Sequence, residues 1–304
     1  MKGKQLIPSL SLSIILLSLF FCCRKSEKTN TTDSVQAFSQ QGNACPEYGD
    51  SIIYPKWQGP LNDYRIRPKG NMPAGSWLAW PEGLLIDSST GEINVSASET
   101  GMRYNIGFVK NGTQDTCITT LILGGITYVD SIYVMANNDT LAFPYYNANP
   151  TAPAICDLSD DTDYPQPGGN GHGNNKCEFD DDEDDDLNNG PADEPPTGSG
   201  ANKQGVRVRT ISGIINLKKT MAEAFGANPQ NGDTKKVDIY YRLNDRSSKA
   251  LQRITVQFVY YNTEAEIPIY LRNEIRAKRN NFYSYMTYED KPRPPMIILT
   301  HYYE

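Results

Sequence analysis

Between residues 84 and 145 the chain is cut into apolar runs too short for helices, each bounded by turn-forming residues, and this restricts the region to β structure. Leu84-Leu85-Ile86 and Ile93-Asn94-Val95 flank Asp87-Ser88-Ser89-Thr90-Gly91, where Asp can bond its own backbone and Gly can take positive φ. A hairpin is predicted there. Tyr104, Ile106 and Phe108 alternate with polar or small residues, Asn111-Gly112 is the strongest short hairpin signal, and 116–123 is the return strand. Strands over 127–135 and 140–145 follow, turning at Asn137-Asn138-Asp139. Regular short strands without a helical period predict a β-sandwich over residues 45–150.

Ahead of this region lie Lys2 and Lys4, an uncharged stretch over 5–21, and Cys22-Cys23-Arg24-Lys25. That is the layout of a secretory signal, with a core shorter than the ~20 residues of a membrane-spanning helix. A cysteine directly after the core resembles the lipoprotein signals of Bacteroidota, in which that cysteine becomes the lipidated first residue. The resemblance implies a signal peptide over 1–23, lipid attachment at Cys22 or Cys23, a membrane partner through that anchor, and an exported, outer-membrane lipoprotein. Residues 24–44, polar and rich in Ser, Thr, Gln and Lys, are expected to be a flexible tether.

Four cysteines remain beyond the leader: Cys45, Cys117, Cys156 and Cys177. An even count in an exported chain predicts two disulfides, with three connectivities open. Cys45–Cys117 with Cys156–Cys177 is favoured. The first pair ties the start of the sandwich to one of its strands, and the second closes a Gly/Asn/Pro-rich loop unable to pack a core. Zinc would want C-x-x-C pairs, and the sequence has none.

The run from Trp80-Pro81-Glu82-Gly83-Leu84-Leu85-Ile86-Asp87 through Thr90-Gly91-Glu92-Ile93, followed by Glu99-Thr100-Gly101-Met102-Arg103-Tyr104-Asn105-Ile106, resembles the immunoglobulin-like, cadherin-like domains of bacterial surface proteins. The resemblance implies a sandwich used as spacer, adhesive module or enzyme appendage, and it carries no calcium motif of true cadherins. Trp57, Trp77 and Trp80 are candidates for stacking on a ligand, a glycan above all; the competing expectation is that they plug the sandwich end.

Charge divides the rest. Residues 151–204 hold 2 basic and 14 acidic side chains, whereas 205–304 hold 16 and 10. The first stretch reads as an acidic, disordered linker, self-repelling and free to dock on the basic face that follows. Its contiguous aspartates cannot all point at one ion, so weak, non-specific calcium binding is the most expected of it. No metal site and no cofactor are predicted. In 205–304, Val206-Arg207-Val208 starts a strand, Ile214, Leu217, Met221 and Phe225 fall at helical spacing, and 237–243 with 254–260 form a hairpin. A second helix over 267–279 and a strand over 296–301 complete a β-α-β-β-α-β order, an independent small α+β domain with a mainly antiparallel sheet. Tyrosines beside sixteen basic residues do not suffice for nucleic acid in an exported chain, and none is expected as a partner.

The fold class expected is thus an all-β Ig-like sandwich, an acidic disordered linker and a small α+β domain. With no G-x-S-x-G, H-E-x-x-H or phosphate-binding glycine loop, no catalytic residue is predicted. The leading expectation is a non-enzymatic envelope lipoprotein that adheres, binds a glycan or protein, or scaffolds. The alternative is an accessory subunit or surface hydrolase with its activity in the C-terminal domain.

Overall fold

The computed structural model describes residues 45–114, 116–159, 177–179, 191–284 and 294–302, and residues 44–304 form one compact unit. Cys22, Cys23, the tether and both runs of adjacent aspartates lie outside the described residues. Those described are mostly β, with two α-helices among them.

The first layer contains β1 (Ile52–Ile53), β2 (Arg65–Ile66), β3 (Gly75–Trp80), β4 (Ile93–Asn94), β5 (Arg103–Lys110) and β6 (Thr116–Leu123). Four of these make a sheet in the order β1-β6-β5-β3, and β2 pairs with β4 across from it. The period of two in β5 turns Tyr104, Ile106 and Phe108 inward, where they meet Trp77, Ile93, Val95, Leu121 and Leu123 in a dry core. The 87–91 turn forms as its residues dictate. The Asp87 carboxylate accepts hydrogen bonds from the Ser89 and Thr90 amides, each 2.8 Å, and from the Ser89 hydroxyl, which hold it below the usual carboxylate range.

A second group of strands follows: β7 (Ile126–Thr127), β8 (Ser131–Val134), β9 (Leu141–Ala142), β10 (Tyr145–Tyr146), β11 (Cys177–Phe179) and β12 (Ile215–Asn216). The rest of the chain supplies α1 (Leu217–Phe225), β13 (Thr234–Leu243), β14 (Gln252–Thr263), α2 (Ile269–Ser284) and β15 (Met296–Tyr302). A five-stranded mixed sheet runs β11-β13-β14-β15-β8. β13 and β14 form the expected hairpin, antiparallel from Thr234↔Val259 to Tyr241↔Gln252. β14 and β15 are parallel, because α2 returns the chain to the same end of the sheet, and β8 joins the far side of β15 in the same direction. One face of this sheet packs Ile239, Tyr241, Val256 and Phe258 against Leu217 and Met221 of α1; the other packs Val259, Tyr261 and Ile298 against Leu271 and Ile275 of α2. Helix α1 starts where the Asn216 side chain accepts the Lys219 amide, 3.1 Å, and stops at Gly226.

The expected domain boundaries are corrected by this pairing. β8 is an edge strand of the second sheet, β9 pairs with β12, and Ile126, Tyr128 and Tyr146 belong to its core, so the chain leaves the first layer near residue 124 rather than 150. The second sheet is not confined to 205–304 either, since β8 and β11 come from before it. Nor are all the described parts of 151–204 a linker: β11 is a buried strand paired with β13, and Cys156 and Cys177 are bonded beneath it, with Cα atoms 5.3 Å apart. The other disulfide joins Cys45 to Cys117, Cα atoms 5.6 Å apart.

The two layers meet without a spacer. Gly101, at φ +71°, lies so close to Ile126 that a β-carbon there would overlap its backbone carbonyl. Gly112, at φ +75°, faces open space. Both positions strain an L side chain, but only the first adds a collision with backbone. Gly112→Ala is therefore expected to cost about 1 kcal/mol and Gly101→Ala more than about 3 kcal/mol, read as midpoint shifts in urea denaturation.

Candidate functional site

A cleft of about 610 Å³ opens where the loop 55–63, between β1 and β2, faces the turn of the β13–β14 hairpin. Its outer lip carries Trp57 and Leu61, which are 41% and 94% exposed, placed by a loop punctuated by Pro55, Gly59 and Pro60. The loop is pinned at its base. The Asp63 carboxylate accepts from Asn94 Nδ2 at 2.7 Å and pairs with Arg65 at 2.9 Å, and the Lys56 ammonium sits 5.5 Å from the centre of the Tyr64 ring.

The opposite wall is Ala192, Asp193 and Glu194, and a buried cation holds it there. The Arg242 side chain, on β13, is 1% exposed. Its Nη1 donates to Asp193 Oδ1 at 2.7 Å and to the Lys249 carbonyl at 2.9 Å, while Nη2 donates to the carbonyls of Pro191 and Asp193. Asp193 Oδ2 accepts the Leu251 amide at 3.0 Å. A guanidinium enclosed this far needs both a counter-charge and acceptors around its fork, and the 191–193 segment provides them.

Arg253 on β14 contributes to the remaining side, 3.7 Å from Asp238 and donating to the Ala97 carbonyl at 3.4 Å. Next to it, the Thr255 hydroxyl lies 2.7 Å from Glu99 Oε1 and 2.6 Å from Asp238 Oδ1. Burial pushes the Glu99 carboxyl up, partly offset by the Thr255 hydrogen bond and the Arg253 charge. The sequence reading does not join this acidic pair: Glu99 begins the second segment of the family resemblance, Asp238 lies in the expected 237–243 strand, and only the fold brings them to one hydroxyl.

The three tryptophans do not form one platform. Trp77 is 5% exposed and packs 4.7 Å from the Phe108 ring and 6.4 Å from Tyr48, so it is a core residue, and the expectation that it stacks on a ligand is corrected. Trp80 is half-buried at the end of β3, followed by a cis bond to Pro81. Trp57 alone of the three lines the cleft. No group of acidic, histidine or cysteine side chains suited to a metal ion occurs among the described residues, and no helix there is long and apolar enough to cross a membrane.

No family model and no curated protein matches the chain. Among solved structures it is similar to human protocadherin-24 EC1-2 in two crystal forms, both at 8% identity and TM-score 0.21, over 71% of this chain and 97% or 98% of those. It is also similar to extracellular domains 3-5 of Drosophila OTK, at 9% identity and TM-score 0.15, over 64% of this chain and 55% of that one. At these TM-scores the backbones follow different courses, and the likeness carries no argument about fold or function.

The buried pair makes the wall testable. Asp193→Ala leaves the buried Arg242 charge with only the more exposed Glu194 carboxylate, 3.9 Å from its Nη2, and a loss of about 3 kcal/mol is expected in urea denaturation. Asp50→Ala, which removes a partner 3.9 Å from Arg246 with both side chains 72% exposed, should leave the midpoint unchanged.

Proposed function

We propose that this chain is a non-enzymatic lipoprotein of the cell envelope that captures a saccharide in the cleft beside Trp57. The observation that carries the reading is an exposed indole at the lip of a concavity whose charged lining is engaged elsewhere: Asp193, Glu194, Arg253 and Asp63 stand in ion pairs, and the Lys56 ammonium lies by the Tyr64 ring. Side chains fixed in this way shape a surface and are poorly placed to exchange protons with a substrate. An aromatic face with the amides of Gln58 and Asn62 close by offers what a sugar ring needs, an apolar surface for its C–H face and hydrogen-bonding groups for its hydroxyls. Two disulfides agree with an oxidising compartment, and the leader supports export with a lipid anchor at Cys22 or Cys23. The acidic segment adds at most loose attraction for calcium, screened within about 8 Å at physiological salt.

Two measurements test this. Pull-down of the protein on a panel of insoluble polysaccharides should retain the wild type, and Trp57→Ala should weaken retention about tenfold or more while leaving the denaturation midpoint in place. Equal retention of both proteins, or of neither, excludes Trp57 as the contact. Mass spectrometry of the mature amino terminus is expected to find an acylated cysteine at position 22 or 23; an unmodified start beyond 23 excludes the anchor.

A further inference from the structure

A hydroxyl has one hydrogen, and Thr255 stands within hydrogen-bond distance of two carboxyl groups. It can donate to one of them only. If both were ionised, the second contact would set a carboxylate oxygen against the hydroxyl's lone pairs at 2.6 or 2.7 Å, which is repulsive. Both contacts become hydrogen bonds when one carboxyl carries a proton and donates it to Thr255 Oγ1.

The surroundings decide which one. The Asp238 side chain is 37% exposed, and its Oδ2 lies 3.7 Å from Arg253 Nη1, so water and a cation both favour its charge. Glu99 Oε2 is enclosed and has no hydrogen-bond partner, a poor place for half of a negative charge. The groups facing Glu99 are Thr255 and Arg253 on β14, Asp238 and Tyr241 on β13, and Tyr104 on β5, whose hydroxyl donates to the Glu99 carbonyl at 2.8 Å. Of these only Arg253 is cationic, and it is shared with Asp238. The order of donation is then Glu99 to Thr255 to Asp238, a continuous chain from the 96–100 turn to β14 and β13.

We propose that Glu99 keeps its proton beyond the pH at which an ordinary glutamate ionises, that this proton fastens the 96–100 turn to the β13–β14 hairpin, and that ionisation of Glu99 loosens the side of the cleft formed by Ser96, Ala97 and Arg253. Any effect on ligand capture rests on the reading of the cleft given above; the proton and the joint do not. The sign follows from linkage. A carboxyl whose folded-state affinity for the proton exceeds that of the unfolded chain contributes stability that is complete below its ordinary value of 4.5 and is lost as pH rises through the higher folded value.

The experiment is a carbon-13 titration of the Glu99 side-chain carboxyl in the wild-type protein, assigned by through-bond correlation to its own amide, with hydrogen exchange of the 96–100 amides followed over the same range. A midpoint well above 4.5, with amide protection falling as the carboxyl ionises, is the expected result. A midpoint at or below 4.5 overturns the proposal, and a raised midpoint without any change in protection overturns the fastening role. Glu99→Gln, whose amide donates to Thr255 as the protonated acid would, should abolish that stretch of the stability-versus-pH curve. A variant that folds and keeps the wild-type decline places the titrating group elsewhere. Should the variant not fold, the wild-type titration still decides.

Discussion

The phenol of Tyr241 is the point on which the arrangement of the two layers depends. Its oxygen accepts the Ile126 amide at 2.9 Å and lies 2.5 Å from the Thr100 hydroxyl, which in turn is 3.0 Å from the Arg253 carbonyl. One assignment satisfies every group: Ile126 donates to Tyr241, Tyr241 to Thr100, and Thr100 to Arg253. Such a chain polarises itself and is costly to interrupt in a buried site. Because it starts at the exit from the first sheet and ends on the second, it fixes how closely 96–101 approaches the β13–β14 hairpin. That approach is what sets the loop 55–63 opposite Asp193 and leaves a cleft between them.

The charge asymmetry of the sequence is partly resolved by a single contact. A segment counted as acidic linker supplies Asp193, and a domain counted as basic supplies Arg242, but they meet as a buried, forked pair instead of as two diffuse fields. In this contact the fork geometry of a buried guanidinium, and not net charge alone, selects the partner.

Where the sequence was legible, local chemistry was sufficient. Asn111-Gly112 closes its hairpin, Asp87 builds its turn, and helix α1 follows the spacing of Leu217, Met221 and Phe225, although Ile214, expected in the same helix, lies before its Asn216 cap. The β13–β14 hairpin, α2 and β15 could be read because each is long enough to show its period, whereas the strand expected at 206–208 is no more than an isolated bridge from Val208 to Ile215, and a two-residue strand, β12, precedes α1 instead. Residues 126–146 could not be apportioned in the same way. They form strands of two to four residues, too short for alternation to say which core they face, and their partners lie far along the chain. The parallel joining of β8 to β15 has no turn to announce it. In the candidate site Trp57 was visible by residue type, and Pro55, Gly59 and Pro60 around it mark a loop where Trp77 sits in a strand-like run, yet nothing local said that this loop would border a cleft. The meeting of Glu99 and Asp238 gave no signal, because a shared proton depends on a distance of a few ångströms between residues 139 positions apart.

That late partnership of β8 bears on how the chain is made. The first sheet lies within residues 52–123, so it has all its strands soon after they are synthesised. The segment at Ser131 must wait: its neighbour β15 comes 166 residues later, as the bond from the Met296 amide to Asp130 measures. At ~5–20 residues per second that is roughly ten to thirty seconds during which an apolar strand has no edge to join. A nascent chain of this topology needs shielding from its neighbours until β15 arrives.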